Sequence, residues 1–127
     1  MHIHLLDASL AGLAEAIMIG LLLAVTIIEA IVLIIMKFNP VGKCFLDSFL
    51  VNLASLGTGY LITAYIYPIG FGTENYLGLV IGFFSSLVIE GLGLQLLNRS
   101  KPVKKVWQAS TVMNIVTYIG LLIIILL

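Results

Sequence analysis

Glu29, Asn52, Glu90 and Asn114 are the residues whose types and spacing could do chemistry. A carboxyl can hold a proton or a cation, and a carboxamide can both donate to it and accept from it. Each of the four lies inside a long apolar run, at a similar distance from a basic residue. Glu29 is eight residues before Lys37 and Glu90 nine before Arg99; Asn52 is nine after Lys43 and Asn114 nine after Lys105. At about 1.5 Å of rise per residue, helices would carry all four roughly 12–14 Å from the basic ends. The expectation is one layer of two acids and two amides, one group from each helix.

A charged carboxylate at a bilayer centre costs about 2.5–3.5 kcal/mol on insertion scales, and two neighbouring carboxylates repel. The pair is therefore expected to keep at least one proton, to face inward, and to close a network in which the acid donates to an amide carbonyl and the amide donates back. The flanking residues support an inward seam. Ser48, Asn52 and Ser55 follow i, i+4, i+7, as do Ser110, Asn114 and Thr117, and Gly78, Gly82, Ser86 and Glu90 recur every four residues. Each row is one face of a helix. Glu15 lies fourteen residues before Glu29, about 40° away in azimuth, and is read as an interfacial extension of that face.

Composition sets the elements that hold this layer. Of 127 residues, 61% are hydrophobic and 9% charged, against roughly 25% charged in a soluble domain. The mean hydropathy is +1.22. Apolar runs cover about 8–36, 44–67, 76–97 and 106–127, each long enough to cross a hydrocarbon core of roughly 30 Å. Lipid offers the backbone no hydrogen-bond partner, so each run must be helical. The first run exceeds a simple crossing, which predicts tilt or an interfacial end. It lacks a basic start and carries Asp7 and Glu15, so it is expected to stay in the mature protein.

The connectors are KFNPVGK (37–43), YPIGFGTENY (67–76) and NRSKPVKK (98–105). All six Lys and Arg fall in the first and third, which the positive-inside rule places in the cytoplasm. Both termini and the second connector, with His2, His4, Asp7 and Glu74, would lie outside. Phe38, Phe45 and Trp107 would belt one boundary, and Tyr65, Tyr67, Phe71 and Tyr76 the other. The expected fold is an all-α integral membrane protein of four transmembrane helices, one membrane domain over residues 1–127.

The second half echoes the first. Glu29, Lys43, Ser48, Asn52 and Ser55 align with Glu90, Lys105, Ser110, Asn114 and Thr117. Polar residues are scarce in these runs, so the agreement predicts two hairpin repeats, about 8–67 and 76–127. Two crossings per repeat would make them parallel, with a pseudo-two-fold axis along the membrane normal.

Ala8, Gly12, Ala16, Gly20 and Ala24 recur every four residues. Such a ladder predicts a close-packing face for the fourth helix or for another subunit. A homo-oligomer or a complex with other membrane subunits is expected. The basic connectors should attract anionic lipid heads and give no reason to expect nucleic-acid binding. Cys44 is expected to act as a small apolar residue rather than a lipidation site.

Several other chemistries find no support. HIH at the N-terminus, with Asp7, is too sparse for a metal site. SLGTGYL (55–61) has the wrong order and context for an ion-channel filter. No phosphate loop, Cys/His cluster or nucleophile–histidine pair is present, so neither an enzyme nor a cofactor is expected. Two functions remain. The leading expectation is an interaction or scaffold subunit whose Glu/Asn layer specifies helix packing. The alternative is a proton- or cation-translocating transporter or channel subunit using Glu29 and Glu90.

Overall fold

The computed structural model describes residues 2–66 and 76–127, with side chains over 9–62 and 78–127. Four helices account for nearly all of it: α1 His2–Ile35, α2 Val41–Ile66, α3 Tyr76–Leu97 and α4 Val103–Leu126. Each packs on the next, and α1 closes on α4. The helices therefore form a ring in which α1 is diagonal to α3, and α2 to α4. All four are long and apolar enough to cross a membrane. Leucines and isoleucines such as Leu53, Ile115 and Ile119 face outward, while Glu29, Asp47, Asn52, Glu90 and Asn114 are buried. That is the inverse of a water-soluble bundle.

Two helices begin earlier than the apolar runs indicate. α2 starts at Val41, directly after Pro40, and α4 at Val103, directly after Pro102. Proline suits a helix entry, where its missing N–H would have no intrahelical partner. Lys43, Lys104 and Lys105 thus belong to first helical turns rather than to connectors. α1 ends as sharply: Phe38 N–H donates to Leu33 O and Lys37 N–H to Ile34 O, both at 2.9 Å. This double closure needs a left-handed residue, commonly glycine, and here Lys37 takes it with φ 50°.

The end of the ring nearest the basic residues is tightly packed. Leu33, Phe38, Cys44, Val51, Leu94, Val106, Ala109 and Met113 form its core. A Cβ on Gly91 would lie 2.6 Å from the Trp107 ring, and one on Gly93 2.9 Å from Val51. Only glycine allows so close an approach of α3 to α4 and to α2. Phe38, expected at a membrane boundary, is instead buried in this core, with the Lys101 ammonium 5.0 Å from its ring centre.

Among the described residues, the opposite end is open. Residues 9–20 of α1 are exposed throughout. Gly12 and Gly20 have no neighbour within 4 Å of a built Cβ, and Ala16 and Ala24 are exposed. The small-residue ladder therefore does not serve α4 within the chain. The side chains of His2, His4, Asp7, Ala8, Tyr65 and Tyr76, and residues Tyr67, Phe71 and Glu74, lie outside the described residues.

Candidate functional site

The site is built from two sets of matching contacts. In the first hairpin, Ser48 Oγ donates to Thr26 O at 2.9 Å, tying α2 to α1 one turn from Glu29. One turn further along α2, Asn52 Nδ2 donates to Ser48 O at 3.0 Å and to Glu29 Oε2 at 2.5 Å. In the second hairpin, Ser110 Oγ donates to Leu87 O at 2.9 Å. Asn114 Nδ2 then donates to Ser110 O at 3.0 Å and to Glu90 Oε2 at 2.7 Å. Thr26 and Leu87 each stand three residues before the glutamate of their helix. The i, i+4 spacing lets a serine and an asparagine share one helix face, so the serine fixes the helix spacing and the asparagine reaches the acid.

Hydroxyls join the hairpins. Thr117 Oγ1 on α4 donates to Glu29 Oε1 at 2.9 Å. Ser55 on α2 stands beside Glu90 and donates to Ser86 Oγ at 3.1 Å. Ser86 in turn lies 3.5 Å from Tyr118 Oη. The structure thus brings together Glu29, Glu90, Asn52 and Asn114, and engages all five flanking residues, Ser48, Ser55, Ser86, Ser110 and Thr117. It corrects the expected wiring. The four groups form two carboxyl–amide pairs, one per hairpin, in which the amide donates to the acid, and the hydroxyls of Thr117 and Ser55 rather than an asparagine cross between hairpins.

Nor is the layer enclosed. Glu29 and Glu90 are only 1% and 2% exposed, yet both line a cavity of about 780 Å³ that runs from the acids toward the open end of the ring. Leu22, Leu56, Ile81 and Leu121 make its walls apolar, and Tyr60 and Tyr118 add aromatic rings. Gly82 helps shape it: a Cβ there would lie 3.0 Å from Tyr118 Oη. Phe83 braces the tyrosine edge-on, with ring centres 5.3 Å apart. On the other side of the acids, one turn away, fully buried Leu33 and Leu94 close the ring.

Beyond that seal lies a polar cluster that no sequence expectation included. Asp47, 1% exposed, receives Lys43 Nζ at 2.8 and 3.0 Å on its two oxygens. Asn39 Nδ2 donates to its Oδ2 at 2.8 Å, and Asn98 Nδ2 to the same oxygen at 3.0 Å. Asn39 also donates to Asn98 Oδ1 at 2.7 Å. The cluster ties both basic connectors together. Lys43 and Asp47 at i, i+4 are its legible half; the asparagines lie in connectors, where turns ordinarily place them. By the serine and asparagine register, Ala109 holds the position in the second hairpin that Asp47 holds in the first. Cys44 is buried and its Sγ lies 3.2 Å from Asn39 O, as a donor to that carbonyl.

Among the described residues, no cluster of three or more His, Cys, Asp or Glu could hold a metal. The arrangement can hold protons or a positively charged ligand: two acids, each supported by neutral donors, at the floor of a pocket with no basic residue among its described lining residues. No family model, no curated protein and no solved structure matches the chain.

Proposed function

We propose that this protein is a proton- or cation-translocating subunit of the membrane, working through Glu29 and Glu90 rather than by covalent catalysis. One observation carries the proposal: the two acids form the floor of an open cavity instead of a closed packing layer. Intramembrane ionisable groups are functional candidates by default, and a purely structural network gains nothing from an approach path. The hydroxyls of Ser55, Ser86 and Tyr118 extend the polar row from Glu90 along the cavity wall. Leu33, Leu94 and the Asp47 cluster close the opposite side, so one access route is open and the other shut. In this reading the basic connectors face the cytoplasm, anionic lipid heads gather there, and the cavity opens outward.

The paired contacts around Glu29 and Glu90 support a duplicated hairpin with a pseudo-two-fold axis along the membrane normal. The scaffold reading keeps one specific support, the exposed ladder of Gly12, Ala16, Gly20 and Ala24. We assign that face to a homo-oligomer, in which each subunit carries its own acid pair.

Reconstitution into proteoliposomes tests the proposal. The wild-type chain should dissipate an imposed proton or cation gradient, and Glu29→Gln and Glu90→Gln should abolish the flux while leaving assembly intact. Absence of flux from the wild type, with assembly lost in both variants, would return the layer to a packing role.

A further inference from the structure

We propose that the ligand of the cavity is an apolar organic monocation, a quaternary or protonated amine bearing hydrophobic substituents, which exchanges with a proton on the Glu29–Glu90 pair. The inference rests on the transport reading above and adds the chemical class of the substrate.

Size and lining carry it. A cavity of about 780 Å³ lies in the range of roughly 300–1,000 Å³ typical of organic-ligand sites. An alkali-metal ion would use only the floor and the Ser55–Ser86–Tyr118 hydroxyl row, and would leave the apolar part of the wall without a role. An apolar cation uses both parts. Its substituents lie against Leu22, Leu56, Ile81 and Leu121, and its charge reaches the acids. Tyr60 and Tyr118 add aromatic rings to the lining, and quaternary ammonium ions favour the faces of such rings.

Charge fixes the valence. Among the described residues, the titratable groups lining the cavity are Glu29 on α1, Tyr60 on α2, Glu90 on α3 and Tyr118 on α4, with no lysine, arginine or histidine. A pair that holds one proton when occupied and two when empty stays balanced by a single positive charge. Binding one cation therefore releases one proton, and affinity should rise with pH until the pair has lost the exchangeable proton. Asn52, Asn114 and Thr117 hold the carboxyl oxygens by neutral hydrogen bonds, so no fixed cation in the site competes with the ligand.

The probe is benzyltrimethylammonium, compared with its neutral isostere 2,2-dimethylpropylbenzene, in which carbon replaces nitrogen. Binding is measured calorimetrically to the purified full chain in nanodiscs, with proton release read in two buffers of different ionisation enthalpy. The cation should bind with release of one proton, and the isostere about tenfold or more weaker, a difference of about 1.4 kcal/mol. Glu29→Gln and Glu90→Gln should each lose the cation. Gly59→Leu, which fills the cavity wall at a site where a Cβ meets nothing within 4 Å, should weaken binding of the cation about tenfold or more. Equal binding of isostere and cation would overturn the proposal in favour of a neutral apolar occupant. Glutamate-dependent flux of protons or sodium with no organic cation bound would overturn the substrate class and leave the transport reading standing. Absence of both binding and flux would remove the two together.

Discussion

Asp47 and the Glu29–Glu90 pair are equally buried acids, and they are built differently. Asp47 has a lysine on both oxygens and two asparagine amides on one of them. Its charge is matched by a permanent cation and its surroundings are filled. The glutamates have only neutral donors, and they face a cavity. Burial alone therefore does not separate the two centres. The difference lies in whether the partner set completes the charge or leaves that to a proton or ligand.

Substitutions can break or sharpen this contrast, and the largest effect on stability is expected at the completed centre. Asp47→Ala leaves the Asn39 and Asn98 amides without their common acceptor and Lys43 without its counter-ion. Lys43 is partly exposed and can turn to water, so the cost should fall at the lower end for a broken buried pair, about 3 kcal/mol. Unfolding in mild detergent with increasing denaturant would measure it. Gly91→Ala places a methyl against Trp107 and should cost about 1–3 kcal/mol by overpacking, read in the same assay. It tests whether the packed end is as tight as the α3–α4 approach indicates.

Smaller effects belong to the open centre. Thr117→Val removes the hydroxyl that crosses from α4 to Glu29 and should cost about 1 kcal/mol; a double-mutant cycle with Glu29→Gln, which keeps only one oxygen for Asn52 and Thr117 to share, should show the two changes to be coupled. Glu29→Gln and Glu90→Gln by themselves keep an oxygen for Asn52 and Asn114 to donate to. Each should change stability by under about 1 kcal/mol, although each should abolish flux. If these conservative variants unfolded as readily as Asp47→Ala, the two centres would be alike and the contrast would fail.

The sequence made some of this legible for clear reasons. In apolar runs a polar residue is rare enough for its position to carry information, so counting from the basic residues placed Glu29, Asn52, Glu90 and Asn114 together, and the i, i+4 rows identified the serines that space the helices. Counting along helices cannot show how far the helices splay. The cavity, and the division of the layer into two pairs bridged by Thr117, therefore became visible only in three dimensions. The Asp47 cluster escaped because Asn98 is remote in sequence and both asparagines sit where turns ordinarily place them. Phe38 was misplaced because an aromatic beside a lysine reads as a boundary residue, whereas the sharp left-handed turn at Lys37 folds it back into the core.

The central claim, that the glutamates are reachable from the cavity while Asp47 is sealed, is tested most directly by dicyclohexylcarbodiimide. This apolar reagent adds to protonated carboxyl groups, and peptide mass mapping after treatment of the protein in nanodiscs locates the adduct. The account predicts modification at Glu29 or Glu90, protection of both by the bound organic cation, and an unmodified Asp47. Modification of Asp47 with both glutamates untouched would contradict it.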